Sequence, residues 1–158
     1  MKIEVTRSAR RTKTVQARLV GDVLEIAVPG HLTAAEEHAW VERMRRRFLD
    51  SRNADRIDLA ARAHGLALRL GLPEPETITW SHRQKTLWGS CTVANRRVRV
   101  ANRLAAYPAW VLDYVIVHEL AHLVVPRHDA AFWEVVGRYQ LAERARGYLI
   151  AKGEEGMI

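Results

Sequence analysis

His118-Glu119-Leu120-Ala121-His122, with His128 six residues further on, is the part of this chain best equipped for chemistry. On an α-helix, residues four apart share a face, offset by about 40°. Two imidazoles at that spacing can grip one zinc ion without bending the backbone. Glu119 projects about 60° away from His122, close enough to reach a water on such an ion as a general base. A zinc-bound water has its pKa lowered towards about 7, so a carboxylate suffices to make hydroxide from it. Metal, water and base would together form a hydrolytic centre.

His128 lies beyond Pro126, which breaks the helix and lets the chain turn back. A third imidazole would then complete the open pattern of three protein ligands plus water, where four protein ligands would mark a structural site. The expected ligands are therefore His118, His122 and His128, with Glu119 as the catalytic base. Among the remaining histidines, His82 is the best further candidate. His31, His38 and His64 read as solvated or hydrogen-bonded. Tyr114, one turn before His118, could offer a hydroxyl, but core packing is the simpler role. Cys91 could be a fourth ligand or a nucleophile; a small buried thiol fits better, since the chemistry does not need it.

The flanking elements must position these groups. Residues 2–6 and 15–28 read as strands, the latter a hairpin turning at Gly21-Asp22. Thr33-Ala34-Ala35-Glu36 resembles a capping box that opens a helix to about Leu49. A second helix is expected over Ala54 to Leu70, stopped by Gly71 and Pro73. Thr77-Ile78-Thr79-Trp80 and Arg97-Val98-Arg99-Val100-Ala101 are strand-like, and Trp88-Gly89-Ser90-Cys91 between them reads as a compact turn. If Arg97–Ala101 is an edge strand beside the cleft, an extended peptide could pair with it. Pro108 suits the start of the catalytic helix, expected to end near Val124. Asp129 would cap a helix over Ala130 to about Tyr139, with Phe132 and Trp133 as core anchors. A last helix, about Leu141 to Ala151, precedes a polar tail expected to fray.

Composition bounds the answer. At 158 residues with 48% apolar content, one domain with a substantial core is expected. No apolar run approaches the roughly 18 residues of a membrane span, and the first residues lack a signal-peptide core. Cys91 is the only cysteine, which excludes an internal disulfide. These features point to the cytoplasm. The net charge is +7. Arginines cluster at Arg7 to Arg11, Arg43 to Arg47 and Arg96-Arg97, a balance compatible with nucleic-acid or nucleotide contact. Solvated basic faces explain the same clusters, and no aromatic-interleaved nucleic-acid motif accompanies them.

Several runs together resemble the YgjP-like zinc metallopeptidases. They are Lys85-Thr86-Leu87-Trp88-Gly89-Ser90-Cys91, Asn102-Arg103-Leu104, Tyr107-Pro108, Asp113 to Leu123, His128 and Phe132-Trp133, preceded by Ser8-Ala9-Arg10-Arg11-Thr12-Lys13. The resemblance covers nearly the whole chain and extends more distantly to SprT-like and Wss1-like DNA–protein crosslink proteases. It implies an α+β, zincin-like fold in which an N-terminal antiparallel β-hairpin or sheet packs with helices, including the HExxH helix and C-terminal helices. It further implies one zinc ion per chain on His118, His122 and His128, with Glu119 as base. Leu87 stands where the family usually has arginine before Trp88. Pro126-Arg127 and Asp129 also depart from the usual residues around His128.

The expectation is thus a single domain over 1–158, with a hairpin region at 1–30 and a metal-binding core at 77–139. Its function would be zinc-dependent cleavage of peptide or protein substrates. Two alternatives keep the metal: hydrolysis of a nucleotide phosphoanhydride, and a DNA-associated protease or binding module. No Gly-rich phosphate loop supports the first.

Overall fold

The computed structural model describes residues 1–153. Its secondary structure mixes α and β, with six strands in two three-stranded sheets and five α-helices among the described residues. The chain divides into two compact units, Met1–Leu49 and the residues from Asp50 onward. No helix is long and apolar enough to cross a membrane.

The first unit holds β1 (Lys2–Ser8), β2 (Gln16–Val20), β3 (Val23–Pro29) and most of α1 (Ala34–Ala54). β2 and β3 form the expected hairpin, with Val20 opposite Val23. Gly21 sits at φ 60°, the left-handed conformation that a two-residue turn demands of its first central residue. β1 pairs in parallel with the other edge of β3, so the sheet order is β1-β3-β2. Leu24, Ile26 and Val28 alternate along the central strand and are fully buried, with Val41, Met44 and Phe48 of α1 packed against them. The capping box is present, because Glu36 accepts from both Thr33 N and Thr33 Oγ1 at 2.8 Å.

The second unit carries the HExxH helix. α2 (Leu59–Leu70) starts five residues later than the sequence suggests, because α1 continues through Ala54. Asp58 caps α2 by accepting from Ala61 N, and Gly71 ends it at φ 63°. The second sheet comprises β4 (Thr77–Ser81), β5 (Gly89–Thr92) and β6 (Arg97–Ala101), in the order β4-β6-β5. Two expectations are corrected here. Arg97–Ala101 is the central strand, not an edge, since it pairs in parallel with β4 and antiparallel with β5. Gly89-Ser90-Cys91 is not a turn but most of the edge strand β5.

Behind the sheet lies α3 (Ala109–Ala121), a helix buried on nearly every side from Val111 to Ala121. Arg62 of α2 donates to Asp113 of α3 at 2.5 Å, which ties the two helices together at the rim of the core. α3 stops at Ala121 rather than near Val124, with His122 as its C-cap. α4 (Ala130–Val136) and α5 (Ala142–Ala151) complete the unit. Asp129 caps α4 as expected, its carboxylate accepting from Phe132 N at 3.0 Å. The expectation of a frayed tail falls mainly on residues 154–158, outside the described residues.

Candidate metal centre

The geometry of α3 sets the first two imidazoles. His118 sits in its last turn, only 1% exposed, and His122 follows one turn later at the helix end. After His122 the chain closes a tight turn, with Val125 N donating to Ala121 O at 2.9 Å, and Pro126 prevents further helix. Asp129 then restarts helical backbone in α4. This reversal carries His128 back over the end of α3. His128 Nε2 comes to lie 3.1 Å from His118 Nε2 and 3.0 Å from His122 Nε2.

Three ring nitrogens so close together cannot satisfy one another. A neutral imidazole has a single N–H, and full protonation would bring three like charges together. Burial is the main reason that His118 is pushed down to about 3, with His122 and His128 adding to the effect. His122 is lowered by burial and then by His128, while hydrogen bonds to the backbone of Val125 and Pro126 pull the other way. The cluster therefore presents converging lone pairs. Three nitrogens about 2.0–2.1 Å from one tetrahedral ion would lie about 3.3 Å apart, close to the spacings found. Among the described residues this is the one group of His, Cys, Asp and Glu side chains disposed to hold a metal ion.

Aromatic rings back the cluster. Phe132 is fully buried, and its centroid lies 4.8, 4.5 and 4.7 Å from the rings of His118, His122 and His128. Trp133 stacks on His128 at 5.9 Å and 25°, and the Arg146 guanidinium lies 5.0 Å from the Trp133 ring centre. Reading these two residues as core anchors captures their burial and misses their contact with the imidazoles.

Glu119, the next residue of α3, packs against β5. It is 4% exposed, and burial alone raises its carboxyl to about 8. A β-carbon built on Gly89 would fall 2.6 Å from Glu119 Oε1 and 2.8 Å from its Cγ. Real β-carbons do not approach that closely, so the carboxylate and this strand share space only because residue 89 is glycine. The sequence offers no direct signal of this pairing beyond a glycine in a run of small residues.

The other candidates lie elsewhere. His82 Nδ1 is 2.8 Å from Asn102 Nδ2 and 3.5 Å from Ser51 Oγ, apart from the imidazole cluster. His64 pairs with Glu74 at 2.8 Å on the surface, while His31 and His38 are exposed. Tyr114 is buried in the core, as expected, and burial leads the causes that raise it to about 12. Cys91 is partly buried, outside the cluster, and burial, then Glu119, pushes its thiol up to about 11.

The sequence profile of the YgjP-like metallopeptidase domain matches residues 6–144. The chain belongs to the YgjP-like metallopeptidase family. Its fold is similar to the crystal structure of the metallopeptidase zymogen abylysin of Pyrococcus abyssi (17% identity, TM-score 0.54), covering 62% of this chain and 97% of that one. It is also similar to the zymogen jannalysin of Methanocaldococcus jannaschii (19% identity, TM-score 0.51), covering 61% and 97%. No curated protein matches the sequence.

Proposed function

We propose that this metallopeptidase is a zinc enzyme in which His118, His122 and His128 hold the ion through Nε2 and Glu119 is the general base. The convergence of the three Nε2 atoms, at 3.0 and 3.1 Å, carries the reading. Zinc bound there would polarise a scissile carbonyl and lower the pKa of the attacking water. Glu119, one residue from His118, would take the proton that the water sheds and deliver it to the leaving amine, the charge of a bound cation offsetting the burial that raises its carboxyl. Burial keeps competing water away from this carboxylate, and the Gly89 backbone restricts its motion. An extended peptide pairs with the free edge of β5, the strand that runs past Glu119, rather than with β6. The whole chain acts as one metallopeptidase domain, with 77–139 as its metal-binding core.

Elemental analysis of protein purified without added metal, beside His128→Ala, tests the ligand set. About one zinc per wild-type chain is expected, with marked loss in the variant. Casein cleavage abolished by Glu119→Gln, with the metal retained, supports the assigned base. An unchanged rate in that variant overturns it. Phosphate release from nucleotides without casein cleavage would favour the phosphoanhydride alternative.

A further inference from the structure

The second sheet buries one face in the core and leaves the other open. Val98 and Val100 of β6 point inward and are fully buried, while Arg97 and Arg99 alternate with them and are exposed. Strand pairing places a hydroxyl on each side of each guanidinium. Thr77 of β4 and Thr92 of β5 flank Arg97, and Thr79 and the half-buried Ser90, whose hydroxyl accepts from Gln84 Nε2 at 2.7 Å, flank Arg99. The open face thus carries two parallel hydroxyl–guanidinium–hydroxyl rows. They are separated by two residues of strand, about 6.6 Å.

This face has no negative counterpart. β4, β5 and β6 contain no Asp or Glu, and the nearest acid in sequence, Glu76, lies just before β4. Neither the Arg97 nor the Arg99 side chain has an ion-pair or hydrogen-bond partner among the described residues. Elsewhere, Arg7, Arg18, Arg45 and Arg62 each hold a carboxylate. Like charges one row apart on an open strand repel, and an anion that spans both rows removes that cost.

We infer that this face is a docking surface for the phosphate backbone of a nucleic-acid strand. The row spacing is of the order of the phosphate repeat along such a strand. Guanidinium forks with hydroxyl donors beside them are the groups that bind phosphate oxygens. The six residues include no aromatic side chain on which bases could stack, so the contact is to the backbone and insensitive to base sequence. The overall charge of +7 favours encounter with a polyanion. The surface does not depend on the metal or on Glu119.

The test uses the full chain and fluorescein-labelled single strands of about 20 nucleotides, read by fluorescence anisotropy across a salt series. Wild type should bind strands of different sequence equally, with affinity that falls as salt rises. Arg97→Gln with Arg99→Gln should weaken binding roughly 25-fold at about 0.1 M salt and reduce the log–log salt slope by about 1.4, at about 0.7 per lost phosphate contact. Arg46→Gln with Arg47→Gln, the same change of charge placed on α1, should retain most of the affinity. Equal loss in both double variants would show that net charge alone governs binding and overturn the proposal. Absence of wild-type binding at low salt would also overturn it, as would binding to polyglutamate but not to the strands. Cleavage of an uncharged peptide, followed in parallel, should be the same in all three proteins.

Discussion

Glu119 and Gly89 are packed so closely that a methyl group on residue 89 would come within 2.9 Å of three atoms of the Glu119 side chain. The strand and the HExxH helix therefore fix the position of the carboxylate by contact, with no hydrogen bond between the two residues. Gly89→Ala must displace either the strand or the carboxylate. Overpacking of this kind costs about 1–3 kcal/mol of stability. A carboxylate moved by about 1 Å can lose on the order of 100-fold in turnover. The expected result is a large fall in kcat with metal content unchanged. In a Glu119→Ala background the clash is relieved, so Gly89→Ala should cost little further in melting temperature. Equal destabilisation in both backgrounds would contradict direct contact.

The HExxH helix and the imidazole cluster are legible in the sequence because the helical repeat of 3.6 residues acts on neighbours in the chain. His118 and His122 share a face by that repeat alone, and the Pro126 break with the Asp129 cap foretells the return of His128. The partner of Glu119 is not legible. Gly89-Ser90-Cys91-Thr92 has no alternation of apolar and polar residues, and its strand character comes from pairing with β6. The alternation in Arg97–Ala101 reveals one open and one buried face but carries no information about how many neighbours the strand has, which is why a central strand reads as an edge. The boundary between α1 and α2 is obscured because the polar run before Asp58 is compatible with helix on both sides.

Trp133 should tune metal affinity without being a ligand. Its ring stacks on His128 while Arg146 lies over the same indole, so the imidazole orientation depends on a side chain that touches no ion. Trp133→Leu is expected to weaken zinc binding about 10–100-fold, the range seen when groups supporting a ligand are lost. Competition with a chromogenic chelator measures it. An affinity equal to wild type would mean that Phe132 alone sets the ring.

Metal removal should destabilise the second unit. The three imidazoles crowd their lone pairs together, and His118 is buried with its Nδ1 lacking a protein partner among the described residues. A ligand that binds only the folded state adds about 2.7 kcal/mol when present at 100 times its Kd. For a chain of this size that corresponds to about 5–10 °C in melting temperature. Scanning calorimetry with and without chelator should show this shift in wild type and a much smaller one in His128→Ala. A chelator effect of equal size in the variant would place the stabilising metal elsewhere.

Cys91 should prove dispensable and slow to react. Its thiol is pushed up to about 11, chiefly by burial and secondarily by Glu119, so the neutral form is favoured. The thiolate is the reactive form, and a raised pKa leaves about one part in a thousand ionised at pH 8. Alkylation by iodoacetamide should therefore be far slower than for a free cysteine and keep accelerating as the pH rises towards 11. A plateau near pH 9 would show a thiol of ordinary acidity. Cys91→Ser should retain both zinc and peptidase activity, since the three imidazoles and Glu119 supply the proposed site without sulfur. Loss of metal in that variant would make the thiol a fourth ligand, and loss of activity with metal retained would make it part of the reaction.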